Sequence, residues 1–200
     1  MEVVVKNISK KFDNKIILNK VSFEIKNNDF IHLKGKNGAG KTTLLKIIKG
    51  VMTPDSGEII KKNPKIELIT NNQRSFFLRL NTIDNLIFFS GLSGSFDKTN
   101  LLKKIKHYLN YFDLEKKSHL KMINLSSGEI KKALIIRALI REPDLMLMDE
   151  IFTNLDLESK EKIIQFIKDI YIKKGKSIIW VSHDSSIIDN LITRTHNLYT

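Results

Sequence analysis

The stretch Gly35-Lys36-Asn37-Gly38-Ala39-Gly40-Lys41-Thr42-Thr43 constrains this chain more than any other. It reads G-x-x-x-x-G-K-[ST], the spacing of a phosphate-binding loop. Phe30-Ile31-His32-Leu33-Lys34 before it is a short, apolar, strand-like run. After it, Leu44, Leu45, Ile47 and Ile48 recur at helical spacing as far as Gly50, a candidate C-cap. Strand, glycine loop and helix in that order let backbone N–H groups wrap a phosphate and set a helix N-terminus against it. Lys41 is then the residue to bridge the outer phosphates, and the Thr42 hydroxyl is the ligand for Mg²⁺.

The flanking sequence predicts the fold around that loop. Glu2–Ile8 is valine-rich and reads as a strand, followed by a polar stretch, Ser9–Lys15, that contains Phe12. Ile16–Leu18 and Val21–Ile25 read as strands around a turn at Asn19-Lys20, and Glu58–Lys61 and Ile66–Thr70 as two more. From about Thr82 to Glu142 the helical period dominates. Thr82–Gly91 carries an apolar face of Ile83, Leu86, Ile87 and Ser90; Lys98–Phe112 carries Leu101, Leu102, Ile105, Tyr108, Leu109 and Phe112 on one stripe. Ser126, with Glu129 three residues on, predicts a capping box that opens a long helix, stopped by Glu142-Pro143. Strand texture returns at Leu145–Met148. A helix over Leu157–Ile172, a buried strand Ser177–Val181, a short helix Ile187–Leu191 and a last strand His196–Tyr199 follow. This pattern predicts an α/β fold: a P-loop NTPase core with a mainly parallel sheet, N-terminal antiparallel strands and an inserted helical subdomain. Residues 1–200 are expected to form one domain, with 1–72 and 143–200 as the core and 73–142 as the helical subdomain.

Composition narrows the partners. The net charge of +12 would suit an anionic surface, yet the only arginines among 34 basic residues are Arg74, Arg79, Arg137, Arg141 and Arg194. Nucleic-acid readers favour arginine for bidentate contacts, so the scattered lysines are read as compositional bias and no nucleic-acid partner is expected. Cysteine is absent, which excludes disulfides and cysteine–metal sites. The segment from Met1 to Lys6 lacks the pattern of a signal peptide, and apolar runs such as Leu86–Phe89 are too short to span a bilayer, so no transmembrane segment is expected.

Three further clusters carry chemistry. Leu145–Met148 is an apolar strand ending in Asp149-Glu150. Ligands of open parallel sheets bind off the carboxyl ends of strands, which sets Asp149 to hold Mg²⁺ and Glu150 to polarise an attacking water. Leu125-Ser126-Ser127-Gly128-Glu129 opens a helix and offers a second phosphate-binding end, which suggests that a second copy completes the site. Ser182-His183-Asp184 follows a strand, with His183 in reach of a γ-phosphate, whereas His32, His107, His119 and His196 read as surface or packing residues. Phe12 fits equally a core anchor or an exposed ring that stacks on a base.

The order of these motifs resembles the nucleotide-binding domain of an ABC transporter over nearly the whole chain. The P-loop lies at Gly35–Thr42, a Q-loop at Gln73, the signature at Leu125–Glu129, Walker B at Leu145–Glu150, a D-loop at Thr153-Asn154-Leu155-Asp156 and a switch histidine at His183. The resemblance implies roles. Phe12 stacks on adenine, and Lys41 with Gly35, Asn37, Gly38, Ala39, Gly40, Thr42 and Thr43 holds the phosphates of ATP. Thr42, Gln73 and Asp149 serve Mg²⁺, Glu150 is the general base, and His183 senses the γ-phosphate. Ser126 and Gly128 contact ATP held by a partner copy, and Asp156 crosses that interface, in a homodimer or a heterodimer with another ABC subunit. The implied function is ATP hydrolysis that energises an integral-membrane permease subunit from the cytoplasmic face of a membrane, the bacterial inner membrane being expected.

The chain departs from the family's usual pattern at Ser127 (Gly), Glu129 (Gln), Ile151 (Pro) and the D-loop, which reads Thr-Asn-Leu-Asp for Ser-Ala-Leu-Asp, and it ends soon after His183. Gln73–Leu80 and Asn85–Phe89 are similar to the ABC-2 exporter branch, and the length is similar to the haem-exporter ATPases of cytochrome c maturation, so export is expected. Phe76, Phe77 and Phe88 are candidates to dock the permease. The rival class is a soluble ABC-type ATPase acting on nucleic acid or ribosomes; such chains carry long coiled-coil insertions or tandem ATPase units, and neither is visible.

Overall fold

The computed structural model describes residues 3–72, 75–91, 97–153, 155–182 and 188–198, with Ile170 described by its backbone alone. They divide into two compact units: Met1–Thr70, Pro143–Glu150 and Gln165–Thr200 form one, Asn71–Glu142 and Ile151–Ile164 the other.

The first unit holds two sheets. Strands β1 (Val3–Phe12), β2 (Lys15–Ile25) and β4 (Ser56–Lys61) form an antiparallel sheet in the order β2-β1-β4. Strands β3 (Phe30–Lys34), β5 (Ile66–Thr70), β6 (Leu145–Asp149), β7 (Ser177–Val181) and β8 (Arg194–Asn197) form a parallel sheet ordered β5-β6-β7-β3-β8. Helix α1 (Lys41–Lys49) follows β3 through the glycine loop and ends where expected, at Gly50, whose N–H bonds the carbonyls of Lys46 and Ile47. Alternate residues of the parallel strands face opposite sides. Ile31, Leu33, Leu145, Leu147, Ile179 and Val181 join α1 and the antiparallel sheet in one apolar core. On the other face, the Phe30 and Trp180 rings lie 5.8 Å apart. Strands buried on both faces explain the unbroken apolar runs in the sequence.

Two boundaries differ from expectation here. β1 continues through the polar stretch to Phe12, because its bonds go to β2 and β4 on either side. β2 is one strand across Asn19-Lys20: Lys20 takes a left-handed φ of 48° opposite a register shift, a bulge where a turn was predicted. Its N–H bonds the Ser9 hydroxyl, so the extra residue is absorbed without breaking the strand. The last strand is Arg194–Asn197, earlier than His196–Tyr199, and Tyr199 lies outside the described residues.

The second unit is built on helices α2 (Thr82–Gly91), α3 (Lys98–Tyr111) and α4 (Ser127–Ile140). The buried side of α2 is Thr82, Asn85 and Leu86, not the face of Ile83, Leu86, Ile87 and Ser90 that was expected. Asn85 is fully buried because its amide is a local hub: it accepts from Phe77 N–H at 2.8 Å and donates to the carbonyls of Phe77 and Asn81. On α3, Leu101, Ile105 and Leu109 are buried, whereas Leu102 stands exposed. Helix α5 (Leu157–Phe166) gives way to a wider turn over Ile167–Tyr171 and a tight turn over Ile172–Lys174, closed by Gly175. The predicted helix over Leu157–Ile172 is thus shorter and irregular at its end.

Gly57 is required where β4 meets β1. Its φ is 84°, and a Cβ there would lie 2.3 Å from the Asn7 carbonyl oxygen. Gly57→Ala is expected to destabilise the protein by about 2–4 kcal/mol in denaturant titration, because both strain and a backbone clash oppose it. Gly38→Ala, also left-handed but with open space around the new Cβ, is expected to lose only about 1 kcal/mol.

Candidate active site

The glycine loop and α1 expose bare N–H groups. Gly40 opens α1 with a φ of 87°, makes no side-chain cap, and the first turn has no acidic residue. The first-turn amides and the positive end of the helix are therefore left for an anion. A Cβ at Gly40 would meet Ile17 and Leu18 side chains at 2.8 Å, so only glycine lets β2 lie this close under the loop. Lys41 is buried, and its ammonium donates to the carbonyls of Gly35 at 2.7 Å and Lys36 at 3.0 Å, which folds it back along the loop. Ala39 is also buried; its N–H bonds the Lys36 carbonyl.

Asp149 ends β6 in register with Val181 of β7, so it shares the carboxyl edge of the sheet with the loop. The Thr42 hydroxyl donates to its Oδ2 at 2.6 Å. Burial raises the Asp149 carboxyl above its ordinary range; the Thr42 hydrogen bond opposes this, the Glu150 charge adds to it, and Lys41 and Lys46 oppose it. A carboxylate and a hydroxyl in contact beside a phosphate loop are hard oxygen donors that fit Mg²⁺, which takes few protein ligands and fills its shell with water and phosphate.

Glu150 follows with a left-handed φ of 51°, unusual for a glutamate, and its N–H bonds the Val181 carbonyl at 3.0 Å. That backbone turns its side chain into an open cleft of about 290 Å³, lined also by Phe12, Ile17, Asn37, Gly38, Gly40, Lys41, Thr42 and Thr43. Phe12 stands at the end of β1 with 44% of its surface exposed, with Lys10 Nζ 5.8 Å from the ring centroid. The first unit thus brings together Phe12, the glycine loop, Thr42, Asp149 and Glu150.

The second unit carries the other expected residues. Ser126 caps α4 through a full capping box: its N–H donates to Glu129 Oε2 at 2.8 Å, and its hydroxyl accepts from Glu129 N–H at 3.3 Å. Lys117 pairs with the free Glu129 oxygen. The Glu129 carboxyl titrates lower than usual: burial is the largest influence and acts upward, but the Lys117 and Ser126 bonds together outweigh it. Gly128 lies against Leu155. The Asp156 carboxylate accepts from Ser159 N–H and Ser159 Oγ, both at 2.7 Å, which makes it the cap of α5. Phe77 and Phe88 are about half exposed, but Phe76 is only 5% exposed. Arg137 stacks over the Phe76 ring at 4.7 Å, so Phe76 is a packing residue and not a docking surface. Gln73, His183 and the D-loop's Asn154 lie outside the described residues.

Sequence reasoning missed one residue of the site. Ile17 lines the cleft, and no local pattern marks it. His32, read as a surface or packing residue, packs inside the strand that feeds the loop, with Nε2 3.1 Å from the Ser182 carbonyl.

Comparison with known proteins agrees with this geometry. The family model described as ABC transporter matches residues 18–153. The zinc import ATP-binding protein ZnuC of Rickettsia bellii is 35% identical over 178 residues, covering 89% of this chain and 74% of that protein. The spermidine/putrescine import ATP-binding protein PotA of Mycoplasma capricolum is 33% identical over 189 residues, covering 90% of this chain and 53% of the relative. The chain therefore spans about half the length of the PotA relatives it matches. Among solved structures, an ATP-binding cassette captured as a dimer in a post-hydrolysis state with ADP and Pi superposes with a TM-score of 0.85 at 28% identity, over 98% of this chain and 94% of that one. The chain belongs to the ABC transporter family, as its ATP-binding ABC ATPase domain. Both named relatives are import ATPases, and none of these comparisons supports export or cytochrome c maturation.

Because burial raises the Asp149 carboxyl, the folded protein keeps a proton there that the unfolded chain has already released. Stability from this group therefore declines as pH rises from the unfolded to the folded value, and stays lower above it. Asp149→Asn removes the charge yet keeps an acceptor for Thr42. Its melting temperature is expected to match wild type in acid, to rise above it as pH passes through the window between the unfolded and folded values, and to keep that margin above it, measured without nucleotide.

Proposed function

We propose that this chain is the ATP-hydrolysing subunit of an ABC transporter, two copies of which close on ATP and so drive a partner permease. The observation that carries this reading is one cleft lined by the uncapped loop, Lys41, Thr42 and Glu150, with Asp149 bonded to Thr42 beside it. In it, Phe12 stacks on the adenine, and the loop amides of Gly35–Thr43 with Lys41 bind the phosphates. Thr42 and Asp149, with Gln73, hold Mg²⁺, which when bound offsets the phosphate charge. Glu150 orients a water against the γ-phosphate and takes its proton; His183 contacts the γ-phosphate.

Residues 1–72 and 143–200 act as the ATP-binding core and 73–142 as the signature subdomain. Ser126 and Gly128 meet ATP on the other copy, with Asp156 at the junction; the dimeric relative with ADP and Pi supports such a pairing. The pair is a homodimer or a heterodimer with another ABC subunit. No helix among the described residues is long and apolar enough to cross a membrane, and we assign the crossing to a partner permease. We place the protein on the cytoplasmic face of the bacterial inner membrane, with exposed Phe77 and Phe88 toward the permease. Direction belongs to that permease, since ATP closes the two copies in the same way for either route. The export expectation rests on Gln73–Leu80, Asn85–Phe89 and a similarity in length, against the import names of the relatives.

Glu150→Gln is expected to lower ATP hydrolysis by roughly 100-fold or more while ATP binding persists, and to show a dimer by light scattering with ATP. A monomer at saturating ATP would contradict the two-copy site. Lys41→Ala is expected to lose nucleotide affinity itself in equilibrium binding; unchanged affinity would remove the loop from the account.

A further inference from the structure

His32 is chemically out of place unless it does something. It is 1% exposed on β3, on the face it shares with Phe30 and Trp180, and it pairs with Trp180 across the β3–β7 ladder. An apolar residue would fill that space with no polar atom to satisfy. A carbonyl can only accept, so the proton on the 3.1 Å contact to Ser182 sits on His32 Nε2. Nδ1 then keeps a lone pair, buried and without a partner among the described residues. Burial above all, with the Lys34 charge, lowers the pKa of the ring, against the Ser182 bond and Asp189, which favours the neutral form. What this ring holds is the end of β7. Two successive carbonyls there are tied to two different neighbours: Val181 to the Glu150 N–H at 3.0 Å, and Ser182 to His32. β7 thus leaves the sheet clamped between the strand that leads into Glu150 and the strand that runs into Gly35.

We propose that His32 is a positioning residue for hydrolysis: by holding the Ser182 carbonyl it fixes the end of β7, and through Val181 the left-handed backbone that aims Glu150 at the cleft. The inference rests on the ATPase reading above. It predicts that His32 acts on turnover and not on nucleotide binding, because the loop amides and Lys41 do not depend on it.

The test compares His32→Leu, which fills the space without a donor, with His32→Gln, whose amide nitrogen can reach the same carbonyl. His32→Leu is expected to fold, to bind ATP within about twofold of wild type, and to lose on the order of tenfold or more in kcat with little change in KM. His32→Gln is expected to recover most of that loss. Wild-type kcat in His32→Leu, or equal loss in both variants, would overturn the proposal. Should His32→Leu fail to fold, nitrogen NMR of the wild-type imidazole decides: a neutral ring protonated on Nε2 is expected, and one protonated on Nδ1 overturns the clamp. An inactive wild-type protein would sink the ATPase reading, whereas the NMR result speaks to the clamp alone.

Discussion

The parallel pairing of β6, β7 and β3 is the constraint on which the site depends. Parallel strands end on one edge, so the ladder that aligns Asp149 with Val181 and His32 with Trp180 also sets Gly35, Glu150 and Ser182 on the same side of the sheet. Burial of both faces holds that register. A slip of one residue would turn Leu145, Leu147, Ile179 and Val181 out of the core they share with Ile31 and Leu33. Residues far apart in sequence thus become neighbours without any one of them having to attract another.

On that edge the electrostatics divide between the loop and the strand ends. The loop contributes positive potential: bare amides at the start of α1 and a lysine folded along its own backbone. The strand ends contribute two carboxylates with different settings. Asp149 is buried and bonded to Thr42, which suits a ligand-holding role. Glu150 is carried into the open cleft by a strained backbone, a feature that functional sites retain and cores do not. Family membership adds that ATP is the molecule such a cleft binds.

Much of this was legible in the sequence because local chemistry dictates it. The glycine loop between an apolar strand and a periodic helix, the Gly50 cap and the Ser126–Glu129 capping box all depend on residues a few positions apart, and all form as expected. What was illegible depends on distant partners. The bulge at Lys20 arises from pairing with β1, the burial of Asn85 from carbonyls of the preceding loop, and the burial of Phe76 from Arg137 three helices later. His32 and the left-handed Glu150 belong to the same class, since both are set by the end of β7. Only the closeness of Gly57 to Asn7 reveals why no other residue fits there.

The central claim is that each cleft is half a site, completed by Ser126 and Gly128 of a second copy. The most direct measurement is ATP turnover per copy as a function of protein concentration, at saturating ATP and Mg²⁺ and without the permease. The account predicts that turnover per copy rises with concentration toward a plateau, as two copies meet to form the complete site. Turnover that stays constant down to concentrations where light scattering shows only single copies would contradict it.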